Sequence, residues 1–114
     1  MLLAIPSGGS DAIVTGSCGD DAYYALDDSG NLFVVGNGAI NGLSGVDQNQ
    51  IKTVSIGEGL TSIENDAFAY CTSLTSVTMP YLDYIGAEAF YRCISLASID
   101  MLTVTHIGWN AFME

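Results

Sequence analysis

Residues 63–79 read IENDAFAYCTSLTSVTM, residues 85–101 read IGAEAFYRCISLASIDM, and residues 107–114 read IGWNAFME. Laid over one another, these stretches keep register at an interval of 22 residues. Ile63, Ile85 and Ile107 form one column, and Ala67-Phe68, Ala89-Phe90 and Ala111-Phe112 form the next. Cys71 recurs as Cys93, Leu74 as Leu96, Val77 as Ile99 and Met79 as Met101. Columns that hold over two full copies and part of a third mark a repeat architecture, in which one unit cannot bury its apolar side chains alone.

Two kinds of local structure are expected in each unit. Thr75-Ser76-Val77-Thr78-Met79 alternates and is rich in β-branched residues, which suits a short half-buried strand. Asn65–Cys71 has an apolar spacing closer to a single helical or 3₁₀ turn, with Asn65 or Asp66 as its cap. Pro80 lacks a backbone donor and ends the strand before it. Together these predict an α/β-type repeat solenoid of the leucine-rich kind, with short strands stacked into a sheet. Successive coils lie about 4.8 Å apart, so each column becomes a ladder. Phe68, Phe90 and Phe112 should stack, and Cys71 and Cys93 should be neighbours, as buried free thiols in the core.

Upstream the repeat thins out. Val54-Ser55-Ile56 aligns with Val77-Thr78-Met79, but Gly- and Asn-rich sequence from Gly36 to Gln50 replaces the expected turn. Before it, Ala22–Leu26 and Asn31–Val35 flank the turn signal Asp27-Asp28-Ser29-Gly30 and predict a β-hairpin. That hairpin is placed to cap the first coil. The expected organisation is a flexible lead-in over 1–17, a hairpin cap and transition over 18–50, and a solenoid over 51–114. Met1–Pro6 lacks the basic n-region and the length of a secretory signal peptide. The repeat stops partway through a coil at Glu114 with no C-terminal cap in sight, as expected of a fragment of a larger protein.

Composition narrows the function. Of 114 residues, thirteen are acidic and two basic, a net charge of −11. Lys52 and Arg92 alone do not make the basic footprint that nucleic acid or an anionic membrane surface requires. No apolar run approaches the roughly 18 residues of a spanning helix, so membrane insertion is not expected. Three cysteines without a CxxC pair and a lone His106 argue against a zinc site or a disulfide framework. Asp20-Asp21 and Asp27-Asp28 lack the alternating spacing of a calcium loop and read as solvated turns. No cofactor is expected. An enzyme is not expected either: His106 is the one imidazole available to a catalytic triad, at a loop position equivalent to Tyr84. Glu64 and Glu88 lie on turns with no cleft between them.

Ile85-Gly86, Ala89-Phe90, Cys93, Leu96 and Ile99 resemble the BspA-type leucine-rich repeat of bacterial and some protozoan surface proteins. Glu64 departs from that pattern where Gly is usual, and Leu102 where Pro is usual. The stretch from Cys18 through Gly30–Gly38 resembles the lead-in that often precedes such repeats. The resemblance implies an extracellular or cell-surface protein, secreted or anchored, that binds a protein or glycan ligand in adhesion.

Two surfaces are candidates for that role. The outward columns of the sheet, Thr53-Ser76-Ser98 and Ser55-Thr78-Asp100, form a small, polar face fit for an extended peptide or glycan. The end of the last coil, around Trp109, Phe112 and Met113, presents apolar side chains and strand edges through which the chain would form a homo-oligomer. Tyr81, Tyr84, Tyr91 and Arg92 vary between copies and are residue types favoured at interfaces.

Overall fold

The computed structural model describes residues 13–43, 45–101 and 103–113. Its strands are β1 (Ile13–Ser17), β2 (Ala22–Asp27), β3 (Asn31–Gly36), β4 (Gly38–Ile40), β5 (Thr53–Ile56), β6 (Leu60–Ile63), β7 (Ser76–Thr78), β8 (Tyr84–Ile85), β9 (Ser98–Asp100) and β10 (His106–Ile107). They form two sheets, one ordered β1-β2-β3-β5-β7-β9 and the other β10-β8-β6-β4. The strands of successive coils pair in parallel, with Val54 opposite Val77 and Val77 opposite Ile99. The chain therefore winds as a β-solenoid of about three turns.

The helical half of the expected α/β unit is not there. Among the described residues the one helical element is a 3₁₀ turn at Gln48–Gln50, capped by the Asp47 side chain. The stretch expected to be helical instead runs as consecutive tight turns. The Ala67 N–H donates to the Glu64 carbonyl and the Ala89 N–H to that of Gly86. Asp66, Tyr70, Glu88, Arg92 and Asn110 all have φ between 55° and 66°. A positive φ is what the third residue of a type II turn requires. A helix would point its N–H groups along its own axis; here they point to the next coil. Phe68 donates to Ala89 at 2.8 Å, Tyr70 to Tyr91 at 2.7 Å, Phe90 to Ala111 at 2.7 Å and Arg92 to Met113 at 2.7 Å. The turns thus form a third ladder beside the two sheets, which satisfies backbone groups that burial would otherwise orphan.

The column residues meet as expected. Phe68 and Phe90 stack with centroids 5.5 Å apart and planes 8° apart, and Phe90 and Phe112 at 5.3 Å and 2°. Ile63, Leu74, Met79, Leu82 and Ile85 are fully buried around that stack. At the corners, hydroxyls tie each coil to the one before: Thr75 donates to the Lys52 carbonyl, Ser95 to that of Thr72, and Thr72 to Asn49 Oδ1. Glycine at positions 86 and 108 follows from the same closeness. A Cβ on Gly86 would lie 2.7 Å from the Asn65 backbone nitrogen, and one on Gly108 would run into that of Ala87. Glu64 stands at the equivalent place in the first full coil, where its N–H donates to the Ile40 carbonyl.

The hairpin β2–β3 is present, and it belongs to the sheet. β3 pairs in parallel with β5, Asn31 opposite Thr53 and Leu32 opposite Val54, so the hairpin's second strand continues the sheet of the coils. Ile13–Ser17, expected as part of a flexible lead-in, is strand β1, antiparallel to β2. Residues 1–12 of that lead-in lie outside the described residues. Ala22, Tyr24, Leu26 and Cys18 join the buried cluster with Leu32 and Ile40. The Tyr24 ring lies over Gly16, where any Cβ would come within 2.7 Å of it.

Candidate functional site

The six residues expected to form the outer face do share one face. Thr53, Ser76 and Ser98 stand in register across β5, β7 and β9, and so do Ser55, Thr78 and Asp100. The inward residues between them, Val54 and Val77, are 1% exposed and anchor the strands to the core. Alternation therefore presents the polar partners outward. Ser55, Thr78, Ser98 and Asp100 are exposed, while Thr53 and Ser76 are half-buried. The Thr53 hydroxyl donates to Asn31 Oδ1 at 2.7 Å, so it acts partly as a tie between coils.

Both columns extend one coil upstream of Thr53 and Ser55. Asn31 pairs with Thr53, and Phe33 with Ser55, one coil upstream. The face thus has four rungs, and its N-terminal rung carries an aromatic ring. The spacing of 22 between residues 31 and 53 was available in the sequence. It was hidden because the first coil lacks the Ala-Phe-x-x-Cys turn.

His106 is a strand residue of β10, opposite Tyr84 of β8, and not a loop residue. Ser62, Tyr84 and His106 form the outward column of the second sheet. The Thr105 hydroxyl donates to Asp83 Oδ1 at 2.7 Å and lies 3.0 Å from His106 Nδ1. This exposed chain of side chains sits on an open sheet edge. On the turn face, Tyr70 and Tyr91 meet edge to face at 5.6 Å, beside exposed Arg92.

The last coil gathers the three residues expected at the self-association end. Trp109 is 74% exposed and Met113 50%, and Phe112 is half-buried against Phe90. Ile107 joins them at 52% exposed, whereas its equivalents Ile63 and Ile85 are fully buried. A hollow of about 270 Å³ opens between these turns and β9, lined by Phe90, Cys93, Leu96, Ile99 and Phe112. A second recess, about 430 Å³, lies at the hairpin turn beside Asp27 and Lys52. The Asp27 carboxylate there is already engaged by the backbone N–H groups of Ser29 and Asn31 and by Asn31 Nδ2. Burial pushes its pKa up, but those donors outweigh it and hold the carboxyl below the usual range.

No group of three or more metal-ligating side chains comes together among the described residues. No helix there is long and apolar enough to cross a membrane, which says nothing about strands.

Comparison with known proteins agrees with the geometry. Residues 45–114 match the family model described as a BspA type leucine rich repeat region. A leucine-rich repeat protein from Eubacterium ventriosum superposes with a TM-score of 0.65 at 24% identity, over 86% of this chain and 26% of that one. A leucine rich cell surface protein from Faecalibacterium prausnitzii gives a TM-score of 0.53 at 25% identity, over 90% of this chain and 34% of that one. The chain thus spans about a quarter to a third of the length of those two proteins. No curated protein matches it in sequence.

Proposed function

The chain belongs to the BspA-type leucine-rich repeat family, and from that premise we propose that it is a non-catalytic interaction module of an extracellular or cell-surface protein. The observation that carries the reading is the unbroken outward register Asn31-Thr53-Ser76-Ser98 and Phe33-Ser55-Thr78-Asp100. It sets hydrogen-bonding groups about 4.8 Å apart along a rigid sheet, a spacing suited to an extended peptide or glycan. The cell-surface relative from Faecalibacterium prausnitzii supports the compartment. The test is binding to a glycan array and to a panel of extracellular matrix proteins, repeated with Thr78→Arg and Ser98→Arg. A ligand of this face loses at least tenfold in affinity to either variant while circular dichroism stays unchanged. Blank panels, or binding indifferent to both variants, reject the assignment.

A second reading has its own observation: exposed apolar side chains concentrate on the last coil, at Ile107, Trp109 and Met113. A contiguous apolar surface of that kind favours association. Two copies meeting through it form a closed dimer. Light scattering over a concentration series decides the matter. A dimer that Trp109→Ser dissociates supports the reading, and a monomer at high concentration rejects it.

A further inference from the structure

Two Asn-Gly pairs stand close together in the chain, Asn37-Gly38 and Asn41-Gly42, and the fold treats them differently. Glycine after asparagine removes the Cβ that otherwise crowds the approach of the next backbone nitrogen to the asparagine amide. Such a pair holds its own electrophile and nucleophile, and the fold decides whether they meet. Asn31, Asn49, Asn65 and Asn110 each precede a residue that has a Cβ. At the first Asn-Gly pair the reacting groups are engaged. The Asn37 N–H donates to the Asp21 carbonyl at 2.9 Å, and its Nδ2 to Asp21 Oδ2 at 3.1 Å. The Gly38 N–H, which would have to be released, donates to the Gly59 carbonyl at 2.9 Å where β4 begins. The second pair lies just past the end of β4. Asn41 is exposed, and its side chain makes no hydrogen bond among the described residues. The Gly42 N–H reaches only the Cys18 carbonyl, at 3.4 Å, and that oxygen already accepts from the Asn41 N–H at 2.6 Å. A contact of 3.4 Å is beyond the usual length of such a bond. Gly42 has φ of 154°, and nothing stands within 4 Å of where a Cβ would be. Its peptide has room to turn toward the Asn41 side chain.

We propose that Asn41-Gly42 is a site of spontaneous modification, at which Asn41 converts through a cyclic imide to aspartate and isoaspartate while the fold preserves Asn37. The Gly42 nitrogen gives its proton to a solvent base and attacks the Asn41 side-chain carbonyl carbon, Cγ. A C–N bond forms, the Cγ–Nδ2 bond breaks, and the amide nitrogen leaves as ammonia with a proton from solvent. Water then opens the five-membered ring. Attack at Cγ restores the ordinary backbone and leaves an aspartate. Attack at the Asn41 main-chain carbonyl leaves Gly42 joined through Cγ, an isoaspartate with one extra atom in the main chain. The sum is one asparagine and one water giving one carboxylic acid and one ammonia. Either product takes the net charge one unit beyond −11. The iso form also lengthens the chain between Ile40, which is fully buried, and Leu43, which packs on the core, beside the contact with Cys18.

The two pairs serve as each other's control. The folded chain is incubated at body temperature in mildly alkaline buffer, beside the same chain unfolded in guanidinium chloride. Samples are quenched in acid and digested with trypsin, which releases both pairs on the peptide that ends at Lys52. Electron-transfer fragmentation locates each gain of one mass unit and separates aspartate from isoaspartate. In denaturant the two sites should convert at similar rates. In the folded chain the Gly38 hydrogen bond must open first, which slows that site about tenfold. Product therefore gathers at Asn41 while Asn37 stays intact. Asn41→Gln, whose ring would be one atom larger, should remove the early product and leave the rate at Asn37 unchanged. Asn41 still intact in the folded chain when the unfolded chain is half converted overturns the proposal. So does Asn37 keeping pace with Asn41 in the fold, or an equal gap between them in denaturant.

Discussion

Phe90 is 1% exposed, with one parallel ring on each side of it. Its removal costs the transfer energy of the ring, a cavity and two stacking contacts. Phe90→Ala should destabilise by about 3–5 kcal/mol. Phe112 stacks on one side only and is half-buried, so Phe112→Ala should cost roughly half as much. Urea midpoints of the two variants check the ratio; equal losses would mean the column is not a ladder. The glycine at position 86 gives a second comparison. A methyl group there meets the Asn65 backbone, which cannot swing aside, so Gly86→Ala should cost about 1–3 kcal/mol. Glu64→Gly, at the equivalent place in the first full coil, meets no such wall and gives up its hydrogen bond from Ser62. Its cost should stay near 1 kcal/mol, the net value of one half-buried hydrogen bond.

Elements in this chain are short, and their stability comes from ties at their ends. Asp27 closes the β2–β3 turn by accepting from Ser29 and Asn31. Asp27→Ala should therefore cost about 1 kcal/mol, discounted for its exposure. Because folding lowers the Asp27 pKa, its ionised form stabilises the fold above the ordinary carboxylate range. That contribution fades as pH falls through the lower, folded value, and a urea-midpoint series against pH should show the fading in the parent and not in the variant. The turn ladder offers a test of opposite sign. Glu88 holds φ at 57°, a conformation asparagine tolerates better, and Asn110 already fills the equivalent place one coil on. Glu88→Asn should stabilise by about 0.5 kcal/mol; a loss would show that the Glu88 side chain contributes more than its backbone strain costs. These turns were illegible in the sequence because their left-handed positions carry Asp, Tyr, Glu and Arg in place of the glycine that usually marks them. The second sheet was illegible for another reason: Tyr84–Ile85 and His106–Ile107 are two-residue strands, too short to alternate. What could be read was whatever recurs by residue type. The Phe column, the β5–β7–β9 register and the outward polar columns all repeat in kind, whereas Asn31 and Phe33 share the face through spacing alone.

At the scale of the whole molecule, each coil contacts only its neighbours, so stability should vary along the axis. Leu74, Val77, Met79, Leu82 and Phe90 are buried in the middle coils. Their counterparts further on, Leu96, Ile99, Met101, Val104 and Phe112, are partly buried, and Leu96, Ile99 and Phe112 line the hollow. Opening the last coil exposes less new apolar surface than opening a middle one, and its free energy of opening is correspondingly lower. Amides of Ser98–Asp100 and His106–Ile107 should exchange hydrogen at least about tenfold faster than those of Thr53–Ile56 and Leu60–Ile63, a gap of about 1.4 kcal/mol. Mass spectrometry of dilute protein measures this directly. The same experiment at high concentration separates the two surfaces, because a partner copy seated on Trp109 and Ile107 protects the last coil alone. Protection that rises with concentration at β9 and β10, while β5 and β6 stay constant, places the contact at the end of the solenoid. A profile that is flat along the axis and indifferent to concentration would mean that the coils do not open one by one, and that the partly buried end is as firmly held as the middle.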